Sequence, residues 1–319
     1  MTEMNKHERV KAALDGKAVD RPPVSFWFHY FDELRVGEAC IQAHADYYRQ
    51  TDIDFIKVMS DGYFEYPVPD TIREAGDWLN LKPLEPSHPY IREQIERARG
   101  IREATNGECP VFYSVFAPFS SIRFGTANDL VMRHLTQNPE AVIHALDVIA
   151  ESNALLAELL ITEGGCDGIY YCLQGGEQSR FTARQYKEWI TPSDRKVLEH
   201  ANRFSSYNLL HFCGWAGVKN HLEVWRDYPA KAVNWAVSVE EMSLRQGQDF
   251  FGGKAVIGGF DNRPGSVLYT GNKAELDAGV QDIMKDFAGN GLLIGADCSL
   301  ENTIDPGQIR KVVMAAAGK

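Results

Sequence analysis

Short apolar runs rich in β-branched and aromatic residues alternate along this chain with longer stretches in which apolar residues recur every three or four positions. Eight such runs stand out, over residues 23–29, 55–59, 110–116, 168–173, 208–213, 230–236, 254–259 and 292–296. Several are apolar throughout, the pattern of parallel strands covered on both faces. The clearest helical signal opens at Asn138-Pro139, an N-cap followed by proline in the first turn. Val142, Ile143, Leu146, Ile149, Leu155, Leu156, Leu159 and Leu160 then keep helical spacing until Gly164-Gly165 ends it. Further helices are predicted over 182–203, 273–288 and 306–317.

Eight strands alternating with helices predict an α/β fold, a closed (β/α)8 TIM barrel, in one domain spanning residues 1–319. The alternative is an open doubly wound sheet, which announces itself with a glycine-rich loop after its first strand. Here the first strand is followed by His29-Tyr-Phe-Asp-Glu-Leu, with no glycine before Gly37. Residues 60–90 form the longest gap and are expected to be an inserted loop or lid over the barrel mouth.

Composition changes this picture only by exclusion. The 319 residues are 44% hydrophobic and 24% charged, with 33 Lys+Arg against 44 Asp+Glu and a net charge of −11. That balance speaks against a nucleic-acid or anionic-membrane partner, which needs a basic footprint. No apolar run approaches the roughly 20 residues that cross a bilayer, and the polar N-terminus does not read as a signal peptide. A cytoplasmic enzyme is expected. The six cysteines, 40, 109, 166, 172, 213 and 298, are then core residues, ligands or nucleophiles rather than bridges.

In a barrel, chemistry gathers at the carboxyl ends of the strands. Those positions hold His29, Asp61, Gln174, His211 with Cys213, Asn234, Asp261 with Asn262, and Cys298. His211 and Cys213 are two apart on a strand and face the same way, and Gly214 leaves room beside them. With Cys298 at another strand end they offer three Zn²⁺ ligands and an open fourth position. The competing reading is two buried packing cysteines and a chance triplet. Asp61 could orient a substrate or act as a general base, or hold the turn before Gly62. Gln174-Gly175-Gly176 and Asp261-Asn262 admit the same two readings. Glu240 or Glu241 could supply an oxygen to a metal. Cys40, Cys109, Cys166 and Cys172 read as structural. His7, His44, His134, His144, His200 and His221 fall in helical stretches and are expected to be solvated or capping, and His88 to be exposed.

Several stretches together resemble the uroporphyrinogen decarboxylase superfamily. They are Glu8-Arg9-Val-Lys-Ala-Ala-Leu-Asp-Gly with Asp20-Arg21-Pro-Pro-Val24, Ser60-Asp61, Phe251 to Asn262, and Gly291-Leu-Leu-Ile-Gly-Ala-Asp-Cys298. The resemblance runs over essentially the whole chain and implies a (β/α)8 barrel. The decarboxylases of that superfamily carry two arginines after the first strand to hold porphyrinogen carboxylates; here Phe28 and Asp32 occupy those places. Its other branch, the cobamide-dependent methyltransferases, including those that methylate coenzyme M, carries H-x-C and a later single C. His211, Cys213 and Cys298 match that pattern. The resemblance therefore implies Zn²⁺ on these three residues, with Glu240, Glu241 or water as the fourth ligand. It also implies a corrinoid (cobalamin) methyl carrier, as free methylcobalamin or on a corrinoid protein, and a small thiol or similar acceptor. Asp61, His29 and Gln174 would shape the pocket, and the chain could pair as a homodimer. Two alternatives stand beside this one: a decarboxylase-like carboxy-lyase with Asp61 as its polar anchor, and a non-catalytic corrinoid- or tetrapyrrole-binding protein.

Overall fold

The computed structural model describes residues 2–125 and 128–319. Seven strands, β1 (Ile56–Val58), β2 (Val111–Phe116), β3 (Gly168–Leu173), β4 (Leu209–Phe212), β5 (Ala232–Trp235), β6 (Ala255–Phe260) and β7 (Leu292–Ala296), form one sheet. Each pairs in parallel with the next in sequence. All seven lie within or next to the runs predicted from the apolar pattern.

The expected first strand, residues 23–29, is not a regular strand. It makes isolated parallel bridges, Val24 with Ile294 and Phe28 with Leu300. Pro22 and Pro23 have no N–H to give to a ladder, which keeps the pairing short. The segment nevertheless lies between the two edges of the sheet. Ile294 N–H donates to the Pro23 carbonyl and Ser25 N–H to the Ile294 carbonyl, while Asp54 N–H donates to the Val24 carbonyl ahead of β1. A buried ion network pins it there. The Arg9 guanidinium bonds Asp20 and Asp54, Arg21 bonds Asp54, and the same carboxylate accepts from Val24 N–H. The opening motif is thus a structural clasp.

Alternation along the strands divides the core in two. Phe55, Phe112, Tyr170, Cys172, Leu209, Ala232, Ala255, Ile257 and Leu293 join Trp27 in one cluster inside the curled sheet. Val58, Val111, Tyr113, Ile169, Tyr171, Leu210, Val233, Val256 and Ile294 belong to the larger cluster shared with the helices. Burial on both faces is why these runs are apolar without interruption.

The helix Pro139–Thr162 is capped by Asn138, whose side chain accepts from Ala141 N–H. The helix expected over 182–203 is two, Ala183–Trp189 and Thr191–Ala201. Pro192 lacks the N–H and collides with the carbonyl four residues back, so the helix restarts there. Residues 60–90 do not form a lid. Tyr66 Oη and Leu84 N–H meet Ser152 Oγ on the long helix, and Trp78 Nε1–H donates to His134. The segment is clamped to the outside, and Phe64 is what it contributes to the mouth. His44 and His134 are buried rather than solvated. His44 bridges the Cys40 carbonyl and Met59 N–H, and burial takes its pKa down to about 4. His88 caps the helix Pro89–Ala104. Among the described residues, no helix is long and apolar enough to cross a membrane.

Candidate metal centre

His211 is the third residue of β4, in register with Cys172 on β3 and Asn234 on β5. The parity of the strand turns it inward, and Cys213, two positions on, follows it to the same side. Gly214 makes this possible, because a Cβ there would lie 2.4 Å from Ala236 Cβ at the end of β5. Cys298 arrives from the loop after β7. The three donor atoms lie within 4.8 Å of one another. Cys213 Sγ is 3.8 Å from Cys298 Sγ, and Cys298 Sγ is 3.6 Å from His211 Nε2. A tetrahedral ion with Zn–S of about 2.3 Å and Zn–N of about 2.0 Å requires edges of about 3.8 Å and 3.5 Å. The two edges that meet at Cys298 match those values, the third lies within 4.8 Å, and one imidazole with two thiols is a donor set that suits Zn²⁺.

The imidazole is held in the tautomer a metal needs. Asn234 donates its Nδ2 hydrogens to the carbonyls of Ile257 and Ala296, at 2.8 and 3.0 Å. Its Oδ1 must therefore face His211 Nδ1, 2.6 Å away, and can only accept. Nδ1 carries the proton, and Nε2 turns a lone pair toward Cys298. The two thiols divide their protons unequally. Cys213 hydrogen-bonds to the other sulfur and is buried, which pushes its pKa far up. Cys298 receives that bond, which, despite burial, takes it well below the ordinary thiol value.

These residues line a cavity of about 260 Å³ together with His29, Lys57, Met59, Phe64, Phe116, Phe124, Cys172, Gln174, Trp215 and Ser299. His29 Nδ1 is 2.7 Å from Asp61 Oδ1, and Asp61 Oδ2 accepts from Tyr30 N–H. Burial raises the Asp61 carboxyl, but the bonds from His29 and from Tyr30 outweigh it and leave its pKa lowered. The His29 side chain is 43% exposed and Asp61 only 5%, so His29 is the member of the pair that opens onto the cavity. Gln174 accepts from Arg123 Nη2 at 3.0 Å. Its two glycines are packing devices, since a Cβ at Gly175 or Gly176 would strike Phe119 or Trp225.

The remaining strand-end candidates are structural. Asp261 pairs with Arg263, and Asn262 donates to the Ser299 carbonyl. The proposed carboxylate ligands are engaged elsewhere. Glu240 accepts from Asn220 N–H and Nδ2, and Glu241 pairs with Lys219 on the surface. Among the described residues neither joins the three-donor group. Asn234 was legible as a strand-end residue but not as the group that orients His211. Lys57 was missed altogether, although a lysine inside Phe-Ile-Lys-Val-Met is itself a signal.

The family model described as uroporphyrinogen decarboxylase (URO-D) matches residues 59–318. Curated proteins yield no sequence match. Among solved structures, a methyltransferase from Methanosarcina mazei superposes with a TM-score of 0.75 at 15% identity, covering 99% of each chain. A B12-independent methionine synthase from Shewanella sp. W3-18-1, in complex with selenomethionine, gives 0.55 at 11% identity, over 93% of this chain and 97% of that one. A 3-keto-D-glucoside 4-epimerase from E. coli gives 0.50 at 13% identity, over 93% and 99%. At such identities the likeness is one of fold, and the chemistry must be argued from the site.

Proposed function

We propose that this chain, which belongs to the uroporphyrinogen decarboxylase family, is a zinc-dependent methyltransferase moving a methyl group between a corrinoid and a small thiol or similar acceptor. The observation that carries the reading is the convergence of the donor atoms of His211, Cys213 and Cys298, all within 4.8 Å of one another, on the wall of a cavity. That the first of the solved structures described above is a methyltransferase, over almost the full length of both chains, agrees with it.

His211, Cys213 and Cys298 would hold Zn²⁺, with the fourth position left for the acceptor. Zinc there supplies a Lewis acid that makes a thiol nucleophilic near neutral pH, and the corrinoid, free or on a partner protein, supplies the methyl group. The chain itself does the rest. Asn234 locks the imidazole, so that Nε2 needs no reorganisation to bind. His29, fixed by Asp61, presents Nε2 to the cavity and can take the proton an incoming thiol gives up. Phe64, Phe116, Phe124 and Trp215 form an apolar wall that thins the water around the reacting atoms. Gln174, held by Arg123, orients the acceptor at the rim.

A carboxy-lyase acting on a smaller carboxylated ring is the second reading, favoured by the buried Asp61 carboxylate beside His29. The porphyrinogen itself is a poor candidate. Phe28 packs on Tyr30 and Tyr47, and Asp32 is exposed, so neither replaces an arginine clamp. Zinc content separates the two readings. The methyltransferase requires about one zinc per chain, lost in His211→Ala, Cys213→Ala and Cys298→Ala together with thiol methylation by methylcobalamin. Protein prepared reduced and without chelator that neither contains nor takes up zinc overturns it.

A further inference from the structure

A second cleft lies outside the segment that runs from Phe28 to Leu34. Its other walls are the helix Gly37–Thr51 and the start of the helix Pro306–Ala316. It holds about 220 Å³, and its lining is separate from that of the cavity at the metal centre except for His29, which stands in both walls. The methyltransferase and carboxy-lyase readings make no use of it.

Four aromatic side chains line this cleft: Phe28, Tyr30, Phe31 and Tyr47. Phe28 is held 5.0 Å from both Tyr30 and Tyr47. Phe31 is 53% exposed, and Leu34 on the same wall is 40% exposed. The charge of the wall has one sign. Asp46 contributes a carboxylate, Gln50 and Asn302 neutral amides, and no lysine or arginine lines the cleft among the described residues. The main cavity by contrast has Lys57, and other large clefts have Arg97, or Arg195 with Lys196 and Arg203. Arg49 pairs with Asp46 Oδ1 at 2.7 Å but gives its other terminal nitrogen to the Ala104 carbonyl. Both partners are more than half exposed, and such a pair is weak enough to share its carboxylate with an incoming cation.

We propose that this cleft binds a small organic cation, a quaternary or tertiary ammonium. Aromatic rings beside a carboxylate attract a diffuse, weakly hydrated charge. One carboxylate and two amides are too few oxygens for calcium or magnesium, which take about six or more. At about 30 Å³ for each heavy atom the cleft takes about seven, the size of choline. The net charge of −11 adds a long-range attraction for any cation.

The test is ligand binding to the full chain at constant ionic strength, by calorimetry and saturation-transfer NMR. The probes are tetramethylammonium and choline, against ammonium and 3,3-dimethylbutan-1-ol, the uncharged carbon analogue of choline. Choline should bind with a Kd of about 1 mM, and the uncharged analogue about fivefold more weakly or worse. Ammonium, small and strongly hydrated, should not compete. Phe31→Ala and Asp46→Asn, both at exposed positions that leave the fold intact, should each weaken choline about fivefold. Leu79→Ala removes a comparably exposed apolar side chain elsewhere and should leave binding as it is. His211→Ala should bind choline like wild type, because the metal centre is not part of the cleft. Equal binding of choline and its uncharged analogue, displacement by ammonium, or no binding at about 10 mM choline overturns the proposal. So does binding that Phe31→Ala and Asp46→Asn leave intact, or that His211→Ala abolishes.

Discussion

Asn234→Leu removes the side chain that orients His211 while nearly preserving its volume. Three hydrogen bonds disappear: the one Oδ1 accepts from His211 and the two donated to the Ile257 and Ala296 carbonyls. At about 1 kcal/mol net for each bond, the fold should lose about 3 kcal/mol, lowering Tm by about 5 °C for a chain this long. Binding should suffer separately. With no acceptor for Nδ1–H, the imidazole is free to rotate and to move its proton to Nε2, and zinc affinity should fall 10- to 100-fold. Asn208→Leu provides the control. Asn208 is also fully buried and also makes three hydrogen bonds, with Ile169 N–H, Asn202 Oδ1 and the Ser205 carbonyl, but at the opposite end of β4. It should cost a similar Tm and leave zinc affinity unchanged. The assay is competition against a chromogenic chelator, on variants whose folding is confirmed by circular dichroism. Equal zinc affinity for the two variants would refute the argument that Asn234 sets the tautomer.

Stripping the metal with a chelator should lower Tm and restoring zinc should recover it, by about 4 kcal/mol when free zinc is a thousandfold above Kd; a Tm indifferent to both treatments counts against the site. Gly214→Ala drives a Cβ against Ala236 and should destabilise by about 1–3 kcal/mol while displacing Cys213, which weaker zinc binding in the competition assay would register. Asp194 is buried, and that burial, against its bonds from Tyr186 and Tyr228, raises its pKa from 3.8 to about 7. The folded state then holds the proton more tightly than the unfolded one, so this group's contribution to stability is lost as pH rises from about 4 to 7. Asp194→Asn should flatten that slope in denaturant melts between pH 5 and 8, and an unchanged slope would remove Asp194 as its source.

Much of the protein was legible in the chain because parallel strands buried on both faces write themselves as uninterrupted apolar runs. Strands β1 to β7 fall where those runs lie, and helix Pro139–Thr162 follows its Asn-Pro start. The expected first strand and the single helix over 182–203 departed from the pattern for a shared reason: Pro22, Pro23 and Pro192 withhold N–H groups that regular structure needs. The insertion 60–90 was misplaced because its polarity does not reveal that Tyr66, Trp78 and Leu84 dock on the long helix. Strand-end position alone selected Asp261 and Asn262 beside the three residues that converge, since it says nothing about which partner each side chain finds.

By itself the sequence determined the order of strands and helices, the residues at the strand ends, and the His-x-Cys and Cys set as chemistry in search of a geometry. Only the tertiary structure decided that the donor atoms of His211, Cys213 and Cys298 come within 4.8 Å of one another, that Asn234 rather than a carboxylate supports His211, and that Lys57 lies buried against Trp27, Tyr170 and Met59. Local pattern records which face a residue takes, because strand parity is a property of neighbouring residues. Distances across the interior depend on how the sheet curls, to which every strand and the Arg9–Asp54–Arg21 clasp contribute, and no local stretch of sequence encodes that.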